Sequence, residues 1–179
     1  IKKTLKQMNF NDLYNFLIHK VLKITTSLIL YKKNSLYNYF IKNLHIGSYC
    51  YSYYGVKLFN VDFKDITFKY SCGGAYGMYL SNFLTKYNNN FKFIDIGSNI
   101  GIYSLIASEN LKCKKIYAIE PVKSTFVKLK KNLKGKNSNA INCAISSING
   151  YGYIAVHKFD SGSSKISKKN NKNKKYLIK

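Results

Sequence analysis

The sequence predicts an α/β protein built on a parallel, doubly wound sheet, and three observations carry that expectation. From Phe91 onward, short apolar runs alternate with amphipathic stretches in the order strand, helix, strand, helix, strand. The first run, Phe91 to Ile96, leads into the glycine-bearing turn Asp95-Ile96-Gly97-Ser98-Asn99-Ile100-Gly101. The second run, Lys115 to Glu120, ends on a carboxylate directly before Pro121, the single proline of the chain. Sheets of this kind bind ligands at the carboxyl ends of their strands, which is where the turn and Glu120 both fall.

Upstream of the alternation, Leu13 to Leu30 sets Leu13, Phe16, Leu17, Val21, Ile24 and Leu28 at helical spacing, with His19, Lys20 and Lys23 between them. The pattern predicts an amphipathic helix whose apolar face packs against the rest of the protein; attachment to a membrane surface is the alternative. A second helix is predicted over Ser35 to Leu44. Residues Val56–Phe63 and Ile66–Tyr70 are rich in aromatic and β-branched types and predict a pair of short strands, closed by Gly73-Gly74. Tyr76 to Tyr87 predicts a helix running into Asn88-Asn89-Asn90. The expected organisation is an N-terminal helical and short β extension over residues 1–75, followed by the sheet domain over 76–179.

Within the sheet domain, a helix is predicted from about Gly101 to Asn110. Pro121 opens a second, with Val122, Phe126, Leu129 and Leu133 on one apolar face, lysines in its last turns and Gly135 after it. Asn139 to Ser146 predicts the third strand. Gly150 to His157 suggests a hairpin or an added strand, Ser161 to Lys175 a Ser/Gly loop and a Lys/Asn run, and Tyr176-Leu177-Ile178 the start of another strand.

Composition narrows the function classes. The chain has 179 residues, 46% of them hydrophobic, which suits a globular protein. The formal net charge is +23, and all 30 basic residues are lysine. Lys, Asn, Ile, Tyr and Phe share A/T-rich codons, so nucleotide bias accounts for much of the charge. Without arginine there is no bidentate reader of guanine edges, and specific nucleic-acid recognition is not expected. Cys50, Cys72, Cys113 and Cys143, like His19, His45 and His157, are scattered, without metal-ligand or disulfide-framework spacing. No metal is expected, and reduced thiols in a cytoplasmic protein are. The apolar stretch Ile24 to Tyr31 is too short to span a bilayer, so any membrane contact is expected to be peripheral.

The chemistry is expected at Asp95, Gly97, Ser98, Asn99, Gly101 and Glu120. Gly97 permits a sharp turn and Gly101 a close approach of ligand and helix, whose first N–H groups face the ligand. A dinucleotide would place its pyrophosphate there. S-adenosylmethionine instead needs donors for its carboxylate and negative surroundings for its ammonium and sulfonium. Asp95 stands where it could serve the ammonium, and Glu120 where it could accept both ribose hydroxyls. A nicotinamide-dependent oxidoreductase is the runner-up, but its G-x-G-x-x-G pattern would need glycines where the chain has Asn99 and Ile102. A third reading is a non-enzymatic basic binding protein, recognisable by steeply salt-dependent nucleic-acid binding.

Phe93-Ile94-Asp95-Ile96-Gly97-Ser98-Asn99-Ile100-Gly101-Ile102-Tyr103-Ser104-Leu105, with Ile116-Tyr117-Ala118-Ile119-Glu120-Pro121, resembles the FkbM-type methyltransferases. Ala144-Ile145-Ser146 and Asp160-Ser161-Gly162-Ser163-Ser164 resemble that family's third-strand segment and a recurring loop. The resemblance spans about Tyr79 to Ser164. It implies a Rossmann-like class I methyltransferase fold, S-adenosyl-L-methionine as cofactor, and oxygen methylation of a small molecule or glycan. Ser98 stands in place of the commoner alanine, and Leu80 where many members are acidic. The family's acidic fourth-strand segment has no counterpart here, so the domain is expected to be truncated at its C-terminus. No catalytic base is assigned: His157 reads as structural, and Tyr103 and Ser104 as packing or capping as readily as ligand contact.

Overall fold

The computed structural model describes residues 8–28, 33–147, 149–167 and 174–178. It is an α/β structure. Helices α1 (Phe10–Ser27) and α2 (Lys33–Leu44) lead into a two-stranded antiparallel ribbon of β1 (Tyr49–Tyr51) and β2 (Lys57–Phe59). Helices α3 (Ile66–Gly73) and α4 (Met78–Lys86) follow. The parallel sheet then forms from β3 (Phe91–Ile96), α5 (Ile102–Ser108), β4 (Cys113–Ile119), α6 (Lys123–Asn132) and β5 (Ser138–Ile141). Its strand order is β3-β4-β5, both pairs parallel. A second sheet sets β6 (Gly150–Ala155) between β7 (Lys165–Ser167) and β8 (Lys174–Ile178), both antiparallel to it. The added strand and the terminal strand are thus both present; the Lys/Asn run at 168–173 lies outside the described residues.

The alternation reads through to the structure because the first two strands are short and largely apolar; the third, predicted over Asn139 to Ser146, is the shorter Ser138–Ile141. Val122, Phe126, Leu129 and Leu133 of the α6 segment are all buried, as their spacing predicts. One continuous buried cluster joins Phe126, Leu129 and Leu133 to Leu105, Ile106, Ile116 and Ala118 of the sheet region, and to Leu22, Tyr37, Leu58 and Phe68 upstream, while Val122 pairs separately with Ile154. Among the described elements only one face of β3 is covered. Ile94 and Ile96, which share the other face, are 61% and 63% exposed.

Two upstream expectations are corrected. Ile66–Tyr70 is not a strand but most of α3. Asp65 caps this helix by accepting the Thr67 N–H at 3.0 Å, and Gly74 ends it at φ +73°. The helical turn places Phe68 and Cys72 together inside, which a strand would not do. The paired strands are instead Tyr49–Tyr51 and Lys57–Phe59.

The second correction concerns α1. Its buried face is Asn15, His19, Leu22 and Thr26, whereas Leu13, Leu17, Val21, Ile24 and Leu28 are exposed. The helix packs its polar side inward because each buried polar group finds a partner. Asn15 donates to the Ile46 carbonyl at 2.8 Å and accepts the Ile46 N–H at 2.9 Å. His19 Nδ1 lies 2.8 Å from the Tyr37 hydroxyl, which itself donates to the Tyr51 carbonyl at 2.9 Å. Thr26 Oγ1 donates to the Leu22 carbonyl at 2.6 Å. Of the predicted apolar contact face only Phe16 turns inward, half-buried against the Tyr51 ring with centroids 6.1 Å apart; the rest is the outward face.

Candidate functional site

The glycine turn connects β3 to α5, beside the end of β4. Gly97 and Ser98 both donate their N–H to the Ile119 carbonyl, each at 2.9 Å, which locks the turn against the neighbouring strand. Gly97 has φ +73°, with no atom within 4 Å of where a Cβ would stand. Its glycine is required by the backbone angle, and the space beside it is open. Gly101, at φ +87°, is different: a Cβ there would fall 2.6 Å from Leu129 Cδ1. That glycine is demanded by angle and by packing against α6. Asn99 also has positive φ, at 50°, and steadies it by accepting the Ile100 N–H on its own Oδ1 at 2.8 Å.

Glu120 is buried at the end of β4 with its carboxylate turned to the glycine turn. Oε2 accepts the Asn99 N–H at 2.9 Å and Oε1 the Val122 N–H at 2.8 Å. Each oxygen keeps a further lone pair. Burial raises its pKa, against the pull of those two N–H groups, and Asp95 adds to the rise. Glu120 lines a solvent-open cleft with Gly97, Asn99, Ile154, Ser161 and Lys165.

Asp95 takes a different position from the one its sequence neighbourhood suggests. It is buried beneath the turn, where Oδ2 accepts both the Ser104 hydroxyl at 2.6 Å and the Ser104 N–H at 3.2 Å. Burial raises its pKa, and the two Ser104 bonds oppose the rise. One N–H of the first turn of α5 is thereby consumed inside the protein. Asp95 Oδ1 takes no hydrogen bond among the described residues. The hydroxyl of Ser98 is buried without a partner among them.

Other residues in this arrangement were not predicted. Asn99 Nδ2 donates to Ser161 Oγ at 3.0 Å, and Ser161 Oγ donates to Asp65 Oδ2 at 2.6 Å. The Ser161 N–H reaches Asp65 Oδ1 at 3.1 Å, Thr67 Oγ1 donates to Asp160 at 2.7 Å, and the Gly162 N–H returns to Thr67 at 2.8 Å. The cap of α3 therefore anchors the Asp160–Ser164 loop at the mouth of the cleft. The local signal, Asp65-Ile66-Thr67, is a capping pattern, and it falls inside a segment whose composition reads as strand. Asn132 and Asn142 clamp the rim: Asn132 donates to the Ile100 carbonyl at 2.7 Å, and Asn142 to the Glu120 carbonyl at 2.7 Å. Of the residues set aside in the sequence, Ser104 is a hydrogen-bond partner of Asp95, and Tyr103 packs against Tyr76 with ring centroids 5.9 Å apart. Among the described residues no three His, Cys, Asp or Glu side chains gather as a metal site.

No family model and no curated protein matches the sequence. Among solved structures, the crystal structure of TYW2 from M. jannaschii in complex with AdoMet is similar over 65% of this chain and 56% of that one. The identity is 17% and the TM-score 0.38. This chain spans a little over half the length of that protein.

Proposed function

We propose that this chain carries the cofactor-binding part of an S-adenosylmethionine-dependent methyltransferase, acting on oxygen of a small molecule or glycan as the FkbM-type resemblance implies. The observation that supports it most is Glu120, a carboxylate at the end of the second parallel strand, beside a glycine turn and lining an open cleft. Its two spare lone pairs suit the paired hydroxyls of a ribose. The unpartnered Ser98 hydroxyl and the open space at Gly97 suit close approach of a ligand to the backbone. Asp95 Oδ1 would serve the ammonium, directly or through water. Bound there, the cofactor supplies an electrophilic methyl group on a sulfonium. The protein's part is to orient it: Asn99, Ser161 and Asp65 tie the turn, the loop and α3 together, so that the cleft keeps one shape. In this reading residues 1–75 form an extension whose Asp65 and Thr67 brace the cofactor domain of 76–179.

Ile102, buried in the core, stands where the third glycine of a dinucleotide turn would be, and so disfavours NAD. Calorimetry on the whole chain is expected to show binding of S-adenosylhomocysteine and none of NAD. Glu120→Ala is expected to weaken that binding by about 1–3 kcal/mol, the range for charge-assisted hydrogen bonds. Binding of NAD alone would overturn the proposal. Unchanged affinity in a folded Glu120→Ala protein would remove Glu120 from the site.

A further inference from the structure

The outward face of α1 has no role in the cleft, and its geometry is specific. Phe10, Leu13, Leu17, Val21, Ile24 and Leu28 follow one another at intervals of three or four residues, forming a straight stripe along the helix and its C-cap. All six are exposed, Leu17 at 52%, Ile24 at 64% and Leu28 at 80%. Large apolar side chains scattered singly on a surface are ordinary; six in register on one helix are not. The helix cannot roll to hide them. Asn15 and His19 hold its opposite face through hydrogen bonds to Ile46 and Tyr37, outside the helix, that rotation would break.

We propose that this face is an interfacial membrane-binding surface that lies on an anionic lipid leaflet. The charge around it selects that occupant. The stripe is flanked by Lys20, which is exposed, and by Thr25 and Ser27. The one acidic residue of α1, Asp12, is paired with Lys57 at 2.6 Å and accepts the Tyr49 hydroxyl. The chain as a whole carries +23. A second copy would bring the same charge toward the first, whereas a phosphatidylserine-bearing surface attracts it. Nucleic acid would share the attraction but has no use for six aliphatic and aromatic side chains. No described helix is long and apolar enough to cross a membrane, so α1 lies in the plane of the interface, its stripe dipping below the headgroups.

Charge alone would draw so basic a protein to anionic vesicles, so the test must report apolar insertion. The chain contains no tryptophan, which makes Leu17→Trp a single optical reporter. With the whole chain and phosphatidylcholine vesicles containing about one third phosphatidylserine, its emission is expected to shift to the blue and to be quenched by lipids brominated on their acyl chains. In flotation, the charge-neutral pair Leu17→Ser and Ile24→Ser together are expected to lower partitioning about tenfold or more, with thermal melting unchanged because both positions face outward. Unshifted emission, or flotation of the serine variant equal to that of the parent, would overturn the proposal by leaving only electrostatic adsorption. A dimer in sedimentation velocity that the serine pair dissolves, without insertion into vesicles, would overturn it in favour of a second copy.

Discussion

Leu129→Ala is expected to destabilise the protein by about 2–5 kcal/mol, the range for removing a fully buried leucine that leaves a cavity. Leu129 has no exposed surface, lies mid-helix on α6, and reaches the space that the missing Cβ of Gly101 leaves open. It is the contact by which α6 supports the turn from behind. Neighbouring Asn132, on the same helix, fixes the Ile100 carbonyl, so the rim cannot easily collapse into the cavity. The reciprocal change, Gly101→Ala, meets two obstacles: a left-handed backbone angle, about 1–2 kcal/mol for a residue with a Cβ, and the clash with Leu129. In the Leu129→Ala background the clash disappears and the backbone term remains. Urea unfolding of the two single variants and the double should therefore show the double less destabilised than the sum. A loss below about 1 kcal/mol for Leu129→Ala would mean that α6 can close the gap.

Acidification is expected to unfold the N-terminal helical layer through His19. Its imidazole is buried between Tyr37 and Tyr51, stacked on the latter at 5.6 Å. Burial pushes its pKa down to about 4 from 6.5, with Lys20 and Lys23 adding to the fall. Because the folded pKa lies below the unfolded one, the neutral ring contributes stability that is fully present above about pH 6.5 and is lost as pH falls toward 4. A shift of this size corresponds to about 3 kcal/mol. The Tyr37 hydroxyl already donates to Tyr51, so the ring nitrogen facing it is assigned as the donor. His19→Gln keeps a donor and removes the titration. Asp95 and Glu120, with raised pKa values, act oppositely, since their burial becomes easier as they take up protons. The readout is therefore the difference between parent and His19→Gln in urea unfolding at pH 7 and at pH 4. Parallel pH profiles would show that His19 charges freely in the folded state.

The glycine turn and the carboxylate beside it were legible in the sequence because their demands are local. Gly97 and Gly101 are where the backbone needs positive φ, Glu120 ends a strand, and the α6 face has helical spacing from Val122 to Leu133. What stayed hidden depends on partners far along the chain. Ser161 meets Asn99 across 62 residues and Asp65 across 96, and nothing in the spacing of any of the three marks the meeting. The same cause inverted α1. Periodicity found its apolar stripe but could not tell that Ile46 and Tyr37 would satisfy Asn15 and His19, so that the polar side turned inward. At Ile66–Tyr70 a single capping aspartate outweighed a β-favouring composition, because propensity is a weaker term than a satisfied helix end with two buried side chains. Asp95 stands at the head of the glycine turn, but its Ser104 partner holds one of its oxygens inward.

The outer border of β3 has a consequence for how the amides of this strand meet water. Phe91 and Gly97 both point their N–H toward the β4 side, to Lys112 and Ile119. Strand geometry alternates with period two, so Phe93 and Asp95 point the same way, and Lys92, Ile94 and Ile96 point theirs outward, where no described strand lies. Hydrogen–deuterium exchange followed residue by residue is expected to run in alternation along five consecutive positions, with Phe93 and Asp95 slow and Lys92, Ile94 and Ile96 fast. Uniformly slow exchange would show that those three amides are already sheltered. In the alternating case, β3 holds a row of free donors and acceptors beside two bare isoleucines, and on that face of the strand Lys92 supplies the charge that discourages another strand from growing onto it.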